Sequence, residues 1–168
     1  MDVSESSPEA KPRKHVGNKW PVLLIGKKST GKTSLVHTLA KLTNNRCVDI
    51  VLCESTDTTD ILGSYQQVNV HGKAQFVWKD SVLIEAIQNG DWVVIENFNH
   101  RGGSTAVVLD RLNALLEEDN EELVINEAGL INGKLKTIKA HPNFRIFFLL
   151  NEETMVYSTI SKPLRNRC

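Results

Sequence analysis

The stretch Gly26-Lys27-Lys28-Ser29-Thr30-Gly31-Lys32-Thr33 has the form G-x-x-x-x-G-K-[ST], and the chemistry of that spacing is phosphate binding. Successive backbone N–H groups of such a loop wrap phosphate oxygens, the lysine neutralises their charge, and the hydroxyl ligates Mg²⁺. The metal site is completed by an acidic residue ending a second apolar strand, often with a carboxylate beside it to polarise the attacking water. Trp92-Val93-Val94-Ile95-Glu96-Asn97 is the segment that fits. Thr33 and Glu96 are therefore the expected metal ligands, Glu96 being one methylene longer than the usual aspartate. Asn97 stands where the general base belongs. An amide cannot accept a proton from water at neutral pH, so the pattern favours holding a phosphate chain over cleaving it. Asn151 ends the apolar run Phe147-Phe148-Leu149-Leu150 and is placed to orient a terminal phosphate or its water, although asparagine after a strand is most often a turn former. Arg165 and Arg167 carry the planar fork that suits phosphate, in trans on a neighbour's nucleotide or simply as solvated charge.

These residues need a scaffold that brings strand ends and a helix start together. Val22 to Ile25 is a short unbroken apolar run before the loop, as in a parallel strand buried on both faces, and Leu35, Val36, Leu39 and Leu42 follow at helical spacing. The loop thus meets a helix N-terminus, where unpaired N–H groups and the macrodipole favour an anion. Further strands are expected at Cys47 to Leu52, Trp92 to Ile95 and Phe144 to Leu150. Asp80 is the expected N-cap of a helix through Leu83, Ile84 and Ile87 that Gly90 stops, and Ser104 the cap of another bearing Val108, Leu109, Leu112, Leu115 and Leu116. Strands alternating with helices imply an α/β fold with a doubly wound parallel sheet. Two hairpins are expected beside it, one about His71-Gly72-Lys73 and one about Asn132-Gly133, each a packing element or a contact surface.

The 168 residues suffice for one domain with a real core. Lys plus Arg and Asp plus Glu balance at 20 each, so bulk charge gives no direct nucleic-acid signal and no pull toward an anionic membrane. No apolar stretch approaches the ~20 residues of a membrane span. Cys47, Cys53 and Cys168 lack zinc spacing and suit reduced thiols inside a cell. Residues 1–19, rich in Ser, Pro, Lys and Glu, read as a disordered leader before a domain over 20–168.

A family resemblance covers most of the remainder. Glu54-Ser55-Thr56-Asp57-Thr58-Thr59-Asp60-Ile61-Leu62-Gly63-Ser64, Asp91 to Asn99, Val108 to Glu117, Ile125-Asn126-Glu127, His141-Pro142-Asn143-Phe144-Arg145 and Arg165-Asn166-Arg167 are similar, in order and spacing, to the AAA+ units of the midasin family of dynein-related ATPases. The resemblance implies a P-loop NTPase of AAA+ type, a large subdomain with a parallel sheet and two inserted hairpins. It implies ATP and Mg²⁺ as ligands, with Gly26, Lys27, Lys28, Ser29, Thr30, Gly31, Lys32, Thr33 and Ser34 around the nucleotide. Asn151 becomes sensor 1, and Arg165 and Arg167 become trans-acting arginines. The implied partners are neighbouring AAA+ units in a ring and the pre-60S ribosomal particle, in the nucleolus or nucleoplasm. The fifth strand and the lid of such a unit would lie beyond Cys168, so the chain is expected to be an incomplete unit, a fragment of a longer protein with its lid absent. Two functions follow, an ATPase that remodels pre-60S particles and a non-hydrolysing nucleotide-binding structural unit. A small-molecule kinase fits less well, since no acceptor-site motif is visible.

Overall fold

A computed structural model describes residues 21–53, 55–97, 112, 122–131 and 133–154. Its centre is a four-stranded, wholly parallel sheet of β1 (Val22–Gly26), β2 (Cys47–Val51), β5 (Trp92–Glu96) and β8 (Arg145–Asn151), in the order β1-β8-β5-β2. These are the four expected strands, each within one residue of the expected bounds. Parallel strands require crossovers, and α1 (Lys32–Leu42) supplies the first, carrying the chain from β1 at one edge of the sheet to β2 at the other.

Strand residues alternate between two apolar layers. Val48, Ile50, Val93, Ile95, Ile146, Phe148 and Leu150 pack against α2 (Thr58–Leu62) and α3 (Val82–Asn89), whereas Val94, Phe147, Leu149, Leu24 and Cys47 face Val36 of α1. Burial on both faces explains the continuous apolar runs of the inner strands β5 and β8. In contrast β1, expected to be buried on both faces, is an edge strand with Val22 and Ile25 exposed, as Val51 is in the opposite edge strand β2. In α1 only Val36 and Ala40 are buried, while Leu35, Leu39 and Leu42 remain exposed. The apolar spacing identified the helix, but its leucines form a second stripe turned away from the sheet.

Both hairpins are present. The first pairs β3 (Gly63–Val70) with β4 (Lys73–Asp80) across His71-Gly72, whose φ angles of 51° and 76° are those of a tight primed turn. The second pairs β6 (Glu122–Ile131) with β7 (Lys134–Lys139), with an irregularity between Ile125 and Leu130. They differ in role. Leu123, Ile125, Ala128 and Ile138 of the second join the larger core layer, so it is a packing element, whereas the first leaves Phe76 71% exposed. The hairpins are also tied together, Tyr65 Oη donating to Ala128 O at 2.6 Å and Lys136 Nζ donating to Asp80 Oδ2 at 2.6 Å.

That ion pair corrects the expected cap of α3. Asp80 ends β4 and is held by Lys136 and by Trp78 Nε1 at 2.9 Å, so it does not cap α3. Ser81 does, its Oγ accepting from Ile84 N at 3.2 Å while donating to Ile61 O. The short α2 lies in the segment after β2, for which no helix was expected, and begins with a capping box between Asp57 and Asp60. Of the helix expected after Ser104, Leu112 alone is among the described residues, and it is helical and buried. Among the described residues no helix is long and apolar enough to cross a membrane.

Gly90 ends α3 in the left-handed conformation at φ 81°, and a Cβ there would run into the His141 ring. Gly90→Ala should cost about 2 kcal/mol or more in urea unfolding, and His141→Ala in the same chain should relieve all but the ~1 kcal/mol of backbone strain.

Candidate functional site

The P-loop residues lie where β1 gives way to α1. Gly31 is the N-cap of α1 at φ 85° and Ser29 is also left-handed at φ 63°, so the loop turns its N–H groups inward. Gly31 offers no capping side chain, so no side-chain cap hydrogen bond satisfies the first-turn N–H groups of α1, which a helix cannot satisfy itself. Lys32 folds back over this mouth. Its ammonium donates to Lys27 O at 2.7 Å and Gly26 O at 2.9 Å, and a third contact to Thr30 Oγ1 is long at 3.5 Å. Two of its three protons thus fix its position, and the third is only weakly engaged. Thr30 Oγ1 donates to Lys27 O at 2.9 Å and closes the turn. A Cβ on Gly26 would meet Thr30 Oγ1 at 3.3 Å, so the glycine permits this closure. Lys27, Lys28, Ser29, Thr30, Gly31 and Ser34 are exposed, which leaves the loop open to a ligand.

The sheet brings the second segment to the loop. Thr33 Oγ1, in the first turn of α1, donates to Glu96 Oε1 at 2.6 Å across 63 residues of sequence. The extra methylene of glutamate does not misplace the carboxylate. Thr33 and Glu96 therefore present two hard oxygen atoms at one point, a donor type that Mg²⁺ prefers. Ligand oxygens at adjacent corners of a Mg²⁺ octahedron lie roughly 3 Å apart, so the pair fits the ion with little movement.

Asn97 follows β5 with φ 59°, a left-handed conformation that asparagine accepts more readily than most residues. Asn151 is level with Gly26 in the pairing of β8 with β1, and Leu149, two residues earlier, is level with Glu96. Asn151 thus stands about 6–7 Å further along the strand direction than Glu96, on the loop side. Its Oδ1 accepts from Glu153 N at 3.1 Å, at the start of a 3₁₀ turn over Glu152–Thr154. The turn-forming reading of this residue is thus seen directly, and its place level with Gly26 is where a residue that orients a terminal phosphate would stand. Arg165 and Arg167 lie outside the described residues. What sequence reasoning missed was the double grip of Lys32 on loop carbonyls, for which residue types carry no signal.

Cys53 follows β2, and hydrogen bonds from Ser55 and then Thr56 hold its thiol below the ordinary range. Cys47, inside β2, is raised by burial first and then by Asp49. Both are free thiols.

Comparison with known proteins agrees with this geometry. A family model described as AAA domain (dynein-related subfamily) matches residues 21–168. Midasin of Dictyostelium discoideum is 38% identical over 130 residues, 77% of this chain and 2% of that protein. Midasin of Giardia intestinalis is 34% identical over 131 residues, 78% of this chain and 2% of that protein. The von Willebrand factor A domain-containing protein 8 of Mus musculus is 29% identical over 159 residues, 85% of this chain and 8% of that protein. The chain spans about 2% of the length of the midasin relatives it matches. With its four-stranded parallel sheet, P-loop and midasin-like segments, the chain belongs to the AAA domains of the dynein-related subfamily.

Proposed function

We propose that this chain is an ATP-binding AAA+ unit of midasin type, which holds MgATP between the P-loop and Glu96 and works as one unit of a ring that remodels pre-60S ribosomal particles in the nucleus. The observation that carries the binding role is the 2.6 Å contact of Thr33 Oγ1 with Glu96 Oε1 beneath the loop. The phosphates rest on the N–H groups of residues 26 to 34 and on the Lys32 ammonium, and Thr33 and Glu96 hold the ion. Mg²⁺ held by Thr33 and Glu96 would supply neutralisation of phosphate charge. Asn151 and, from an adjoining unit, Arg165 and Arg167 are the residues proposed to contact the γ-phosphate. The ring, the ribosomal particle and the nuclear setting rest on the likeness to midasin units.

Cleavage depends on a base, and Asn97 favours the second reading, a unit that binds nucleotide to hold an assembly together. Its amide can orient water but takes no proton. Hydrolysis in the unit then waits on Glu96, which already serves the metal site, or on a group from a neighbour.

Lys32→Ala should weaken ATP binding roughly ten- to hundredfold by calorimetry, the loss of one charge-assisted contact, and unchanged affinity would sink the cradle assignment. Asn97→Glu should raise steady-state turnover by about a hundredfold, the lower end of general-base catalysis, at about 1 kcal/mol of backbone strain. A folded Asn97→Glu chain that binds ATP but gains no turnover would show that the missing base is not what limits cleavage.

A further inference from the structure

One turn beyond Thr33, α1 carries a second group of reactive side chains. His37 Nε2 lies 2.9 Å from both Oδ1 and Oδ2 of Asp49, linking the helix to β2. Cys47 is two residues before Asp49, so both side chains leave the same face of the strand, the face that α1 covers. One ligand atom from each of His37, Cys47 and Asp49 can be chosen so that all lie within 4.8 Å of one another. A helix-to-strand ion pair needs only His37 and Asp49. The thiol makes the cluster a nitrogen, sulfur and oxygen set, which Mg²⁺ and Ca²⁺ do not seek and which a borderline-soft divalent ion does.

We propose that His37, Cys47 and Asp49 form a three-ligand Zn²⁺ site that staples α1 to β2, with a fourth position open to water. Tetrahedral zinc holds its donors roughly 3.3–3.7 Å apart, so His37 and Asp49, 2.9 Å apart, would open slightly while the Cys47 thiol closes by about an ångström on the ion. The His37 and Asp49 side chains are 33% and 44% exposed, which gives the ion a path in and the side chains room to adjust. The Cys47 thiol loses its proton to solvent as the Zn–S bond forms, so at least one proton leaves per ion bound. Sequence spacing could not show the site, because C-x-D with a histidine ten residues upstream matches no regular zinc pattern.

Zn²⁺ titrated into the nucleotide-free full chain should bind one ion per chain, and Cys47→Ser and His37→Ala should each weaken it at least tenfold. Co²⁺ in place of Zn²⁺ should give a near-ultraviolet thiolate-to-metal band that Cys47→Ser abolishes and Cys53→Ser leaves intact. Circular dichroism checks that each variant folds, and Asp49→Asn, which keeps the side-chain shape, should also lower Zn²⁺ affinity if the others do not fold. Binding that is unaffected by these substitutions, or a band that follows Cys53 instead of Cys47, would overturn the proposal.

Discussion

Residues on distant parts of the chain, such as Gly26, Glu96 and Asn151, meet at one end of a parallel sheet only if the strands share a direction and a register, and β8 enforces both here. It pairs with β1 on one side and β5 on the other, setting Asn151 beside Gly26 and Leu149 beside Glu96. All three carboxyl ends then open on one crevice, the usual place for a ligand in an open α/β sheet. The register is hard to slip. Ile146, Phe148 and Leu150 face one apolar layer and Phe147 and Leu149 the other, so a one-residue shift would exchange the two sets. The 2.6 Å contact between Thr33 and Glu96 is a consequence of that pairing.

The position of Lys32 adds a constraint of its own. Donation to Gly26 O and Lys27 O means that the cation sits in the mouth because the loop backbone holds it there. In the proposed binding role an anion would meet a charge already ordered by the loop, which limits the entropy lost on binding. Asn97 lies just past the same crevice in a left-handed turn. In the function proposed for this unit, binding and cleavage would draw on different residues, Lys32, Thr33 and Glu96 for the first and the position of Asn97 for the second, and an amide at that position takes no proton.

The strands, the P-loop and the pairing of Thr33 with Glu96 were legible in the sequence because each leaves a local trace: an apolar run, a glycine spacing, an acid at a strand end. The cap of α3 was misread by one residue, since Asp80 and Ser81 are equally good caps and only the tertiary pairing of Asp80 with Lys136 separates them. Burial of the second hairpin was not legible either. Its alternation looks like that of the first, and what distinguishes them is which hairpin meets the core. The leucines of α1 show the same limit, as helical spacing fixes the element but not the face that the sheet covers. The cluster of His37, Cys47 and Asp49 depends on a helix crossing over a strand, which has no signature in residue order.

The central claim, that this unit holds ATP better than it cleaves it, is met most directly by a single-turnover experiment on the unaltered chain. Chain in excess over γ-labelled ATP and Mg²⁺ is quenched over minutes to hours, and the bound nucleotide is separated from free phosphate. The account predicts that ATP is retained by the chain and recovered intact. Rapid release of one labelled phosphate per bound nucleotide would contradict it.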